Sequence, residues 1–298
     1  MNALLLTVSV LLNVVTAILR NSFCKTDVRS DTDLHLFNAA SAWISMVVLA
    51  VIGIALGGLT APSAYTLGMG VLFGAATWLC ALFNMKALTA GPLSYTNIII
   101  SCAMVIPALS GMALYGESVS AWQWIGIALM LVSIVCSVDR SDDGKKGGTS
   151  LRWLLLCMIS FMGNGAVGVM QKIHQSSPHR GELGIFLVLA FAVSGLISLG
   201  MAAKCTRSGK APCTVRLTGK RFGMFALITG AGIAACNHIN MYLSGAMDAV
   251  IFYPVVNGAG MLLTALAGFL LYREKLTARQ WAGLCCGGAA ILLLCGVL

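Results

Sequence analysis

The sequence predicts an all-α integral membrane protein of ten transmembrane helices in two inverted five-helix repeats. Three observations predict it. First, charged residues are only 10% of the 298-residue chain and hydrophobic ones 58%, whereas a soluble domain carries roughly 25% charge. Polar residues this scarce cannot cover a globular surface, so lipid is the solvent. Second, runs of about 20 mainly apolar residues, the length a helix needs to cross a bilayer, recur along the chain. Third, one stretch is written twice: LYGESVSAWQWIG at 114–126 returns as LYREKLTARQWAG at 271–283. Leu, Tyr, Glu, Ala, Gln, Trp and Gly coincide at a constant offset of 157, the mark of internal duplication.

In chain order the predicted spans are 3–20, 34–57, 65–88, 92–115, 121–138, 151–173, 181–203, 221–245, 248–272 and 278–297. The first is apolar but lacks a basic flank and a small-residue cleavage site, so it reads as a span. Segment 20–33 is a mixed-charge loop suited to folding over a pore mouth. Segment 139–150, DRSDDGKKGGTS, is the longest polar run. It reads as the linker between a first repeat, 1–138, and a second, 151–298. Segment 204–220 is another long connection, and it is basic. The duplication reaches further than the opening motif. Gly74, Ala75, Cys80, Asn84 and Met85 match Gly230, Ala231, Cys236, Asn240 and Met241 at offset 156, and Ser9 and Asn13 match Ser160 and Asn164 at offset 151. Five spans per copy is odd, so the second copy enters the membrane with opposite polarity, as in many secondary transporters.

Lys and Arg set the orientation. Seventeen of the 19 follow spans 1, 3, 5, 7 and 9; only Lys172 and Arg180 fall on the other side. The basic loops are therefore expected in the cytoplasm, with both termini outside and the chain in the cytoplasmic membrane. The net charge of +9 then reports topology and not a nucleic-acid partner. The eleven cysteines show no zinc-like spacing and read as small apolar packing residues. No cofactor or metal is expected.

Ten spans, two five-span halves and a duplicated Glu-x5-Gln-x2-Gly signature (Glu117, Gln123, Gly126; Glu274, Gln280, Gly283) resemble the drug/metabolite transporter superfamily, EamA-type branch. The resemblance covers essentially the whole chain. It implies a ten-helix basket with a central substrate cavity and alternating access. Relatives move amino acids, sugars, nucleotide-sugars or drugs, so the resemblance implies a mechanism class and not a substrate.

Polar side chains in hydrocarbon are costly unless they meet a partner or a wet cavity. Ser9, Asn13, Thr16 and Arg20 share one face of span 1. Ser160, Asn164 and Gln171 repeat that face on span 6. Span 4 carries Ser94, Asn97 and Ser101, and span 9 carries Tyr253, Asn257 and Thr264. Span 8 carries Asn237, Asn240 and Ser244, echoed by Thr77 and Asn84 on span 3. Interhelical hydrogen bonding uses the same residue types. Stripes recurring in paired helices nonetheless point to one cavity. The substrate-binding candidates are Ser9, Asn13, Asn84, Asn97, Asn164, Asn240, Tyr253 and Asn257, with Trp78 to stack on substrate and His238 as a proton relay. Arg20, at the cytoplasmic mouth, could hold an anionic group. Pro107 and Pro254 sit inside spans 4 and 9, where each removes a backbone hydrogen bond; they are hinge candidates, with a plain packing kink as the alternative.

Glu117 and Glu274 are expected to open spans 5 and 10, where carboxylates suit a helix N-terminus. Lys86 and Lys172 are expected to snorkel. Trp122, Trp124 and Trp153 fit an interfacial belt. Gly53/Gly57, Gly70/Gly74 and Gly283/Gly287 allow close helix contact within the bundle or, alternatively, in a homodimer. With no carboxylate deep in a span, the sequence favours a transporter of a neutral or zwitterionic polar metabolite. A multidrug or cation exporter of the same superfamily is the alternative, and a non-transporting membrane partner protein the rival from another class. An enzyme is not expected, because no nucleophile or acid accompanies His238.

Overall fold

The protein is represented by a computed structural model that describes residues 2–57, 59–117, 120–137, 151–207, 219–272 and 277–294. These residues form helices α1 (Asn2–Thr26), α2 (Asp31–Ala55), α3 (Ala64–Ala90), α4 (Leu93–Ser101), α5 (Val105–Tyr115), α6 (Ala121–Ser137), α7 (Leu151–Gln175), α8 (Leu183–Arg207), α9 (Lys220–Ala246), α10 (Ala249–Tyr272) and α11 (Ala278–Leu294). Two short 3-10 segments join them, and no strand occurs among the described residues. Eight stretches are long and apolar enough to cross a membrane, so the chain is an all-α, multi-pass membrane protein. The apolar helices α6 and α11 are 17 residues each. The expected linker 139–150, Cys213 and Glu274 lie outside the described residues.

Local chemistry fixes the helix ends. Ser30 and Asp33 form a reciprocal capping box at the start of α2, and Ser63 caps α3 through the Thr66 amide. Such caps satisfy amides that have no partner inside the helix. The first copy of the repeated motif is a helix–turn–helix corner. Gly116 closes α5 in the left-handed region (φ 66°), where a Cβ would be strained. Ser120 and Gln123 then open α6 as a second capping box, at 2.8 and 3.3 Å. The repeated glutamine thus has a structural reason.

Packing arranges eight units in a closed ring. Its order is α1, α9, α2, α8, α3, α7, the α4–α5 pair, α10, and back to α1; α6 and α11 pack on each other. First-half and second-half helices alternate around this ring. The six most extensive helix pairs all join the two halves, so the halves interleave and do not form two bundles side by side. The pattern survives exchange of α1 with α7, α2 with α8, α3 with α9, α4–α5 with α10 and α6 with α11.

Two glycines set the closest crossings. A Cβ on Gly74 would strike the Ala190 carbonyl and lie 2.9 Å from Val193 Cβ. A Cβ on Gly230 would lie 2.7 Å from the Ser41 carbonyl and 2.8 Å from Ile44 Cβ. Gly74 and Gly230 are the residues matched at offset 156, and each seats its helix on α8 or α2. The expected Gly53/Gly57 pair differs: Gly57 ends α2 with φ 68°, and Gly53 faces the Leu59 side chain. Leu4, Ile54, Leu155, Leu227 and Leu270 stay exposed on the outer surface, the face lipid would cover.

Candidate functional site

A cavity of about 230 Å³ lies inside the ring, walled by α1, α2, α3, α4, α8, α9 and α10. Amides from Asn13, Asn38, Asn84, Asn97, Asn237 and Asn257 make up about half of its polar wall. Hydroxyls from Thr16, Ser41, Ser45, Thr77, Ser101, Ser194 and Thr264, and the Arg20 guanidinium, make up the rest. Helical periodicity puts these groups on common faces: Asn13, Thr16 and Arg20 on α1, and Asn38, Ser41 and Ser45 on α2. Ser41 Oγ, Thr77 Oγ1, Asn97 Nδ2 and Arg20 Nε are buried with no protein partner among the described residues. A buried polar atom left unpaired costs about 1–3 kcal/mol, so this wall is built to meet something polar.

A second chamber of about 150 Å³ continues the path. It shares Asn13, Asn237, Val256 and Asn257 with the first, so these residues border both chambers. Asn164, Gln171, Asn240, Pro107 and Tyr253 line the far side. Tyr253 donates to the Gly168 carbonyl at 2.6 Å.

Beyond the second chamber the end is locked. Lys172 Nζ lies 3.0 Å from Glu117 Oε1, and both side chains are about nine-tenths buried. Lys172 also donates to the Met247 carbonyl at 3.0 Å. The Glu117 carboxylate accepts from the Ala249 and Val250 amides, both at 3.2 Å. Glu117 was expected to cap the helix that follows it. It caps α10 instead, because α5 and α10 pack together and bring the orphan amides of α10 to it. Lys172 does not snorkel either: the buried carboxylate and carbonyl satisfy its charge where it stands. Nearby, Glu182 Oε2 accepts from the Ser63 amide and hydroxyl at 2.9 Å each, tying α8 to α3.

The opposite end, where the basic loops lie, is sealed by apolar side chains. Phe23, Phe37, Leu82, Leu88, Leu93 and Phe222 pack together there, and the Phe23 and Phe37 rings stack at 3.9 Å between centroids. At its rim Asp31 pairs with Lys86 at 3.0 Å and Asp27 with Arg221 at 3.3 Å. Two residues before Phe23, Asn21 is fully buried, and neither its amide nitrogen nor its oxygen has a partner among the described residues.

Of the sequence candidates, Asn13, Asn84, Asn97 and Asn257 line the larger chamber, and Asn164, Asn240 and Tyr253 the smaller. Three do not line either. Ser9 is fully buried. It donates to Asn240 Oδ1 at 2.5 Å and lies 3.4 Å from Cys236 Sγ. Its repeat-mate Ser160 donates to the Cys80 carbonyl at 3.3 Å. Such serine–cysteine clasps hold α1 to α9 and α7 to α3. Trp78 stacks near His35, 6.4 Å between centroids, beside the apolar seal. His238 has a buried Nδ1 with no partner among the described residues and lines neither chamber.

The prolines also separate. Near Pro107 the helix breaks into the 3-10 segment Cys102–Met104, and Pro107 lies under Gly168, whose Cβ would be 2.9 Å away. Helix α10 runs unbroken through Pro254, although the proline has no amide hydrogen to donate to the Val250 carbonyl. Trp153 is not interfacial. It is fully buried and donates to Thr96 Oγ1 at 3.1 Å, whereas Trp122 and Trp124 stay about half exposed. Sequence reasoning missed Asn38, Ser41 and Ser45, although their spacing of three and four residues in an apolar run was a readable helical stripe.

The sequence matches no family model and no curated protein. One solved structure, described only as "Crystal structure of protein", superposes with a TM-score of 0.63 over 98% of this chain and 95% of its own. At 15% identity that likeness establishes a shared fold and nothing about activity.

Proposed function

We propose that the protein is a secondary transporter of the drug/metabolite transporter superfamily, EamA type. It moves a small polar metabolite across the cytoplasmic membrane by alternating access. The observation that carries this reading is the amide- and hydroxyl-walled chamber inside the ring, which borders a second polar chamber at Asn13, Asn237 and Asn257. A polar path of this kind is expensive to hold in a membrane unless it serves transport.

In this reading α6 and α11 also cross the bilayer, giving ten spans. The exchange symmetry of the packing supports two repeats related by an axis in the membrane plane. The positive-inside rule assigns the apolar seal to the cytoplasm and the Glu117–Lys172 lock to the outside, together with both termini. The seals open in turn around a fixed site. Because the halves interleave, each moving unit draws helices from both.

Two rivals are disfavoured. A chamber of about 230 Å³ falls below the roughly 300–1,000 Å³ of drug-sized pockets. It also has no carboxylate in its wall to hold an organic cation. A non-transporting partner protein would have little use for an amide-lined void. The test is solute counterflow in proteoliposomes across a panel of polar metabolites, comparing wild type with Asn13→Ala and Asn257→Ala. At least one solute should exchange, and both variants should slow it at least tenfold. A panel on which nothing moves, or variants that transport like wild type, would refute the reading.

A further inference from the structure

We infer that the larger chamber takes an organic monocarboxylate, held at its charged end by Arg20 and along its uncharged, hydroxyl- or amide-bearing tail by the asparagine wall. This rests on the transporter reading for its physiological meaning, but the site itself is argued from the chamber alone.

Arg20 is the one charged residue in the wall of the larger chamber. Its Nε is buried without a partner. The described carboxylates nearest this end are engaged elsewhere: Asp27 with Arg221, Asp31 with Lys86, and Asp33 in the α2 capping box. A guanidinium is always charged and offers donors in a planar fork that matches a carboxylate. An uncompensated charge inside a bundle is costly, so the anion that completes the site comes from the ligand.

The stoichiometry of charge selects the class further. One guanidinium neutralises one negative charge. A phosphate ester, near two negative charges, would keep an excess in a wall with no lysine or second arginine. A free amino group would lack a carboxylate partner there. Asn97 Nδ2, Thr77 Oγ1 and Ser41 Oγ, all without protein partners, can instead bond hydroxyls or carbonyls on a tail. The volume of about 230 Å³ equals roughly eight waters at ~30 Å³ each, enough for a small hydroxy acid.

The experiment separates the site from transport. Equilibrium binding to detergent-purified full-length protein is measured with gluconate, glucose, glucose 6-phosphate and glutamine, and proteoliposome exchange is run on the same panel. Gluconate should bind at least tenfold tighter than the other three. Arg20→Gln should weaken gluconate at least about 30-fold, the loss expected when one partner of a buried charge pair is removed. If Arg20→Gln does not accumulate, Arg20→Lys keeps the charge without the fork and should weaken binding about tenfold. Gluconate binding that depends on Arg20, without exchange, would sustain the site and sink the transporter reading. Exchange of glucose or glutamine unaffected by Arg20→Gln would overturn the inference and leave the transporter reading standing. Tighter binding of glucose 6-phosphate than gluconate, or no binding of any of the four, would also overturn it.

Discussion

The two ends of the ring are built on one plan and sealed by opposite chemistry. Positions 20 and 21 of α1 correspond, at offset 151, to positions 171 and 172 of α7. At one end they are Arg20, facing the larger chamber, and Asn21, buried with both amide atoms unpartnered. At the other they are Gln171 and Lys172, and Lys172 is clamped to Glu117 and the Met247 carbonyl. Positions matched by sequence therefore carry different chemistry at the two ends. Asn21, two residues before Phe23 of the apolar cluster, has polar atoms that water would satisfy, so wetting this end would recover part of their burial cost. The ionic lock is satisfied as it stands, and opening it exposes a charge pair that already has its partners. Under the proposed alternating access, the end with the basic loops should open more readily.

The largest expected effect breaks the locked end. Lys172→Met leaves Glu117 buried without its cation, and Glu117→Gln leaves Lys172 without its anion. Each should cost about 3–5 kcal/mol of stability, read from thermal unfolding in detergent. The Glu117→Gln/Lys172→Met double variant should cost less than the two singles together. Each should also raise labelling by an impermeant thiol reagent of a cysteine placed at Gln171. An additive cycle would mean that the pair carries no coupling.

Next is the plan common to both ends. Gly74→Leu and Gly230→Leu each force a side chain into a backbone crossing and should each cost about 1–3 kcal/mol or more. Similar losses, measured by the same unfolding assay, would support the exchange symmetry; loss at one site alone would break it.

The third sharpens the apolar seal. Asn21→Leu removes two unpartnered polar atoms and should raise stability by about 1 kcal/mol, while slowing exchange because the seal no longer gains from wetting. A destabilised variant would show that Asn21 has a role at rest. The smallest effect is expected at Trp78. Trp78→Phe should change solute exchange less than twofold, because its ring packs outside both chambers.

The legible and the illegible parts of this molecule differ in physical kind. Hydropathy and length read out the helices, because membrane solvation acts on each segment almost independently. The repeat read out the corner at Gly116, Glu117 and Gln123 as a unit. Polar stripes on α1, α3, α4, α9 and α10 located the chamber wall, since a helical face is set by sequence spacing alone. Partner choice between helices was not legible. Glu117 was placed on its own helix because sequence shows neighbours in the chain and not across the ring. Ser9 passed for a wall residue because a helix-clasping serine and a wetted one look alike. Trp153 passed for an interfacial residue because nothing in the sequence announces Thr96 as its acceptor.

The alternation of the two halves around the ring reaches back to synthesis. Until the second half leaves the ribosome, α1, α2 and α3 lack the helices that flank them in the finished ring. The early segments must wait in the lipid as loosely associated rods, their asparagines and serines without final partners. Closure of the ring therefore waits on the second half. Two fragments cut at the linker and made together should find each other, while either made alone should be degraded.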